Sequence, residues 1–538
     1  MQRIVLLVIL GILTLGLVGT LNDAYAESFT SFSSGSWDSA ATWRDGMNNP
    51  GVPGVADNKS INIAHTVTIS NPVTNSGQIS LGGTLIIDST LTNNGFFDGI
   101  TTNGIVSFGG TITVNSNGIV QNNGLYNNLS GTTTTINFGG QFFNNYASGN
   151  GHFHNEEATI IVKGTLTNNG DIHQLTNGVM TVSSGSLINT GPNAVFDNRG
   201  GATLTLSLAS IGLDNKSGGV IINESLIDNA FANINNTSTI NNNSGGLIKN
   251  DFGDINNNSG GVINNNIFGS ITNKGSFTNN DGATINNKAS SLIETSTGGT
   301  FNNSGIINNN SGGTIKNTGG SGSGLDSDAN INNRVGGKIN NSGTILTKAN
   351  SSDPITTIRN FGTIDNLSGG AITAEGGAIK NVLGGSIINN LSGGIITNNG
   401  GVLHNQFGNI FNLSGGIINN NNSFNNTAVI TNSGLINNTD SGTINNTGGT
   451  ITNPGNILNC GTYTGTIPSG NQIINCTITE NTTLSSNLTI PVGVTLTINP
   501  GAVLTVNTGV TLTINDKIIV KSGGKLIIIS GATLRVIN

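Results

Sequence analysis

Between Gly212 and Cys460 a lone Ile, Leu, Val or Phe recurs in a background of Asn, Gly, Ser and Thr. The stretch Asn257-Asn258-Ser259-Gly260-Gly261-Val262-Ile263-Asn264-Asn265 is echoed at Asn412-Leu413-Ser414-Gly415-Gly416-Ile417-Ile418-Asn419-Asn420. The main apolar residues run Ile234, Ile240, Ile248, Ile255, Ile263, Ile271, Phe277, Ile285, Ile293, Phe301, Ile307, Ile315, in steps of six to eight. A helical face needs recurring steps of three and four, which are missing here. A short strand plus a tight turn fits each step. Three such arms make a coil of about 22 residues, which predicts an all-β chain built as one long parallel β-helix. Variable arm lengths argue against a strict hexapeptide beat and favour a right-handed helix.

The turn chemistry agrees. Gly adopts positive φ at no steric cost, and Asn tolerates the left-handed region. Each apolar residue is expected to point inward and its Asn or Thr neighbour outward. Asn side chains at equivalent places in successive coils are expected to bond in ladders. A single coil buries too little to stand alone, so order must come from stacking. The competing reading is a disordered Asn-rich tract. The apolar beat, kept from Gly212 to Cys460, stands against it.

The flanking text divides the rest. Residues 1–26 read as a secretory signal: Arg3, an apolar run from Ile4 to Val18, and Ala24-Tyr25-Ala26 as the cleavage pattern. No later segment predicts a membrane span, so the mature chain is expected to be secreted. Residues 27–70 form a cap holding the only tryptophans, Trp37 and Trp43. Residues 71–211 continue the coils with denser strands, and Phe96, Phe97, Phe108, Phe138, Phe142 and Phe143 suggest a thicker core. Residues 212–460 hold the Asn/Gly repeats. Residues 461–538 return to regular coils such as Val494-Thr495-Leu496-Thr497-Ile498.

The segment with Trp37, Trp43, Val52-Pro53-Gly54, Asp57-Asn58 and the strands Ile61-Asn62-Ile63 and Val67-Thr68-Ile69 resembles the opening of secreted β-helix proteins, including those with G8-type domains. The resemblance implies an extracellular right-handed β-helix and carries no catalytic residues with it. The Trp pair is expected to be buried as a cap and not to stack on sugar rings.

Composition narrows function. Only 8% of residues are charged, against about 25% in ordinary domains, so solubility rests on Asn, Thr and Ser. No basic stripe exists, which excludes nucleic acid as the expected partner. Cys460 and Cys476 behind a signal peptide predict a disulfide.

Candidate chemistry is thin. Asp326 and Asp328, Glu156 and Glu157, and Asp251 and Asp254 are the acidic clusters, and none has an evident basic partner one coil away. No cofactor motif appears. One constellation stands out: His152, His154 and His173 are three of five histidines. His152 and His154 share a strand face, and His173 is expected to stack above His152. With Glu156 or Asp171 they could hold zinc or copper. His65 and His404 read as structural. About twenty Asn-x-Ser/Thr sequons, among them Asn215, Asn257, Asn366, Asn390, Asn412 and Asn481, raise the expectation of a glycan-coated surface.

Three function classes follow. The first is a non-catalytic surface or matrix protein that binds extracellular polysaccharide or cell-surface components. The second is a carbohydrate-active enzyme, a lyase or glycosidase, which would need convergent carboxylates. The third is a self-associating fibre subunit.

Overall fold

A computed structural model describes residues 28–54, 60–94, 104–107, 109–146, 151–207, 212–319, 329–349, 356–471 and 473–537. The expected signal, residues 1–26, lies outside the described residues, as do Asp57, Asn58, Phe96, Phe97, Phe108, Asp326 and Asp328. Every regular element among the described residues is a β-strand, usually of four residues. None is a helix long and apolar enough to cross a membrane. The chain falls into two units, Met1–Ile221 and Ile222–Asn538. Each is a parallel β-solenoid with three strands per coil.

In the second unit the register is regular. Val262–Asn265 pairs in parallel with Thr284–Asn287, placing Ile263 beside Ile285. Ile285 lies in turn beside Ile307, so the coil has the same length at these two steps. The predicted apolar beat is the core: all twelve residues from Ile234 to Ile315 named above are buried. Stacked rings join the aliphatic columns at Phe277 and Phe301, with centroids 4.6 Å apart.

The two Asn residues of the repeat divide between the faces. A strand alternates faces, so in Val262-Ile263-Asn264-Asn265 both Ile263 and Asn265 point inward. Asn264, the immediate neighbour of Ile263, takes the outward place expected of it. The inward Asn is fully buried and bonds to its counterpart one coil on. One ladder runs Asn223, Asn242, Asn265, Asn287, Asn309, Asn341, Asn366, Asn390, Asn412, Asn432, Asn453, with every step 2.7 or 2.8 Å. A second runs from Asn236 through Asn257 and Asn279 to Asn446. The third column is interrupted where Thr295, Thr347 and Ala374 replace Asn. The expected ladders therefore exist, inside the coil.

Burial of so many amides is tolerated because along the two continuous ladders both ends of the amides are used. The Asn257 amide nitrogen donates to Asn279 Oδ1 at 2.8 Å, to the Gly261 carbonyl at 3.2 Å and to the Thr284 carbonyl at 3.1 Å. The Asn thus ties its own turn to the next coil. The Gly pair completes the corner. Gly260 has φ of 82°, and Gly261 donates from its backbone N–H to the Asn258 carbonyl at 2.7 Å. A Cβ on Gly261 would lie 2.5 Å from both the Asn236 carbonyl oxygen and Asn257 Oδ1.

In the first unit one Asn ladder, Asn75 to Asn215, lines the third strand column. The second column replaces it with aliphatics: Ile87, Val114, Ile136, Val162, Val182 and Leu206 are buried there. The aromatic core is smaller than the sequence suggests. Phe142 is buried, with Tyr126 and Phe153 edge-on to each other at 4.6 Å. Phe138 is instead 80% exposed, because it sits in the turn after Thr133–Ile136. Phe143 faces outward on its strand. Trp37 and Trp43 are buried edge to face at 5.1 Å. The Trp43 indole donates to the Trp37 carbonyl at 2.8 Å, which removes both rings from any sugar-stacking role.

Candidate functional site

The three histidines of the first unit lie on adjacent strands, His152–Glu156 and Asp171–Leu175. Phe153 and Ile172 are buried beneath them and fix the outward direction of their neighbours. The register departs from expectation by one outward position: His173 lies beside His154, while His152 lies beside Asp171. The coil that joins the two strands is therefore shorter than the one that would stack His173 on His152, because the intervening turns are tight. The cluster still forms. One ligand atom from each ring lies within 4.8 Å of those of the other two. Glu156 is not among the convergent groups; it sits beside Leu175, further along the strand.

Two carboxylates back the rings. His152 Nδ1 lies 3.4 Å from Asp171 Oδ2, and His173 Nδ1 lies 3.3 Å from Asp197 Oδ2. Asp197 is 4% exposed and also pairs with Arg199. Its other oxygen, Oδ1, is buried with no hydrogen-bond partner. Burial, with His173 and His152 alongside, pushes the His154 imidazole down to about 4, so it is neutral near pH 7. Asp171 was legible as a neighbour in the sequence; Asp197 and Arg199 were not. The signal was there: Asp197 follows His173 by one coil at the same outward strand position.

No family model matches the sequence, and no curated protein is similar to it. Among solved structures, the crystal structure of the TibC-catalyzed hyper-glycosylated TibA55-350 fragment is similar at 15% identity, over 86% of this chain and 100% of that chain, with a TM-score of 0.17.

The remaining candidates resolve unevenly. Cys460 and Cys476 are joined by a disulfide, with Cα atoms 4.7 Å apart, within the range a disulfide spans. Of the acidic residues singled out in the sequence, Asp251 has a basic partner one coil away, contrary to the sequence reading. Lys249 lies between Asp228 and Asp251, and Lys274 reaches Asp251 at 3.7 Å. Lys316 meets Glu294 at 2.8 Å. Parallel register places outward side chains directly above one another, so opposite charges pair along the stack. His65 is structural, with its Nδ1 2.8 Å from the Ser31 carbonyl. Five of the six named sequons, Asn215, Asn257, Asn366, Asn390 and Asn412, are fully buried, and only Asn481 is exposed. A glycan coat on those five is incompatible with the fold.

The outward face of the second unit carries its own amide row. Asn264 donates to Asn241, Asn286 to Asn264 and Asn308 to Asn286, each at 2.9 Å, and Asn340 donates to Asn308 at 2.8 Å. This row runs opposite in donor direction to the buried ladder beside it.

Proposed function

We propose that the chain is a non-catalytic secreted or cell-surface structural and adhesion protein that binds extracellular polysaccharide along its outward polar rows. The observation that carries the reading is the row Asn241, Asn264, Asn286, Asn308, Asn340. It repeats one donor–acceptor pair at the coil spacing, about 4.8 Å. Each amide spends one donor and one acceptor on its neighbours, which leaves a second hydrogen and a second lone pair per residue for a ligand. Such a row suits hydroxyls that recur along a polymer. The Lys-paired carboxylates support the same reading, because a glycosidase needs two free carboxyl groups about 5–10 Å apart across a cleft.

The test is binding of the full chain to immobilised extracellular and cell-wall polysaccharides, with the products analysed. Retention of one polysaccharide without fragments, weakened by substituting Asn286→Ala and Asn308→Ala together, supports the reading. Release of shortened saccharides would replace it with the enzyme class. Concentration-dependent filaments without glycan binding would replace it with the fibre class.

A further inference from the structure

We propose that His152, His154 and His173 bind one zinc ion through three imidazole nitrogens, with the fourth tetrahedral position open to solvent. The inference does not depend on the adhesion reading.

The donor set selects the metal. Three neutral nitrogens with no thiolate suit zinc, whose tetrahedral sites with three protein ligands leave one place for water. Calcium and magnesium want oxygen ligands. Zinc–nitrogen bonds of about 2.0–2.1 Å bring ligand nitrogens to about 3.4 Å of one another. From 4.8 Å side-chain rotation alone closes that gap, with the backbone held by the His154–His173 register.

The surroundings separate this cluster from an ordinary solvated face. Three of the chain's five histidines converge here. Asp171 and Asp197 each sit at the Nδ1 of one ring. That arrangement directs the Nε2 atoms of His152 and His173 to the metal and raises their basicity, as carboxylate–histidine–zinc units do. Asp197 is buried, and its Oδ2 is held between His173 and Arg199, which fixes the carboxylate against the ring. The ion would join two consecutive coils.

Metal-stripped, folded full-length protein is dialysed against zinc and the bound metal counted; cobalt is added to a second sample as a visible probe. The expected result is one zinc per chain and the intense visible bands of four-coordinate cobalt. The triple variant His152→Asn, His154→Asn, His173→Asn abolishes both, whereas His404→Asn changes neither. Asn already occupies equivalent outward positions, so the triple variant keeps the fold, which circular dichroism checks. Asp171→Asn weakens zinc binding about 10–100-fold without touching a ligand. No zinc uptake, six-coordinate cobalt in the wild type, or full uptake by the triple variant would each overturn the assignment.

Discussion

Asn264 and Asn265 adjoin in the chain and belong to two different hydrogen-bond systems. Asn264 faces outward and donates back to Asn241 at 2.9 Å. Asn265 is buried and donates forward to Asn287 Oδ1 at 2.8 Å and to the Leu292 carbonyl at 2.9 Å. It also accepts from Asn242 at 2.8 Å. The two residues share composition and differ only in strand parity, which decides what each contributes.

Removing the buried amide takes one hydrogen bond from the Asn242 nitrogen, which keeps the Gly246 and Ser270 carbonyls, one from the Asn287 oxygen, which keeps the Ser291 hydroxyl, and one from the Leu292 carbonyl. Each lost bond is worth about 0.5–1.5 kcal/mol net, and the space left by the side chain adds to the cost. Asn265→Ala is expected to destabilise by about 2–4 kcal/mol. Asn264→Ala, whose partners can turn to water, is expected to cost less than about 1 kcal/mol. Urea denaturation of the two variants measures the difference.

The corner glycines separate two kinds of strain. Gly261→Ala drives a methyl into the Asn236 carbonyl and the Asn257 amide, an overpacking that costs about 1–3 kcal/mol. Gly260→Ala meets nothing closer than the Thr237 oxygen at 3.7 Å. Its cost is the positive φ alone, about 1 kcal/mol. Asn in place of Gly260 recovers part of that, because Asn accepts the left-handed region. Thermal melts of the three variants give the order.

The buried sequons make a prediction about modification. Expressed in a host that attaches N-glycans, folded protein should carry none at Asn257, Asn366, Asn390 or Asn412, since these amide nitrogens are the ladder's donors. Chains glycosylated there before folding should be recovered aggregated. Site-resolved glycopeptide mass spectrometry reads this out; occupied Asn390 in soluble, folded material would contradict it.

His404 gives a pH dependence. Burial lowers its proton affinity, and Lys380, beside it on the neighbouring strand, lowers it further. The folded state therefore binds this proton less readily than the unfolded state, whose value is near 6.5. Between the folded value and 6.5 the unfolded chain holds more protons, so stability falls as pH falls through that window and is unaffected above it. His404→Asn should remove that part of the slope and Lys380→Gln should reduce it, in urea midpoints collected from about pH 8 to about pH 5.

The aliphatic core was legible because each Ile stands alone in polar text, and burial of an isolated apolar residue has one solution. The fate of the Asn pair was harder to see. Both residues are polar, and composition assigns polar groups to the surface. Strand parity already held the answer: Ile263 and Asn265 are two apart and share a face. The histidine register failed for a different reason. Coil length varies with turn length, so the spacing of His152 and His173 along the chain does not define a stack, whereas the pairing of Phe153 with Ile172 does. Asp197 was missed because the coil from His173 to Asp197 is longer than the one from His154 to His173, and no local motif marks it.

The central claim is that every second Asn of the repeat is an interior residue. Single cysteines at Asn264 and Asn265 test it directly, since both native cysteines are held in the Cys460–Cys476 disulfide. In the folded protein a maleimide should modify Asn264→Cys rapidly and leave Asn265→Cys unreacted until denaturant is added. Equal modification of the two under native conditions would contradict the account.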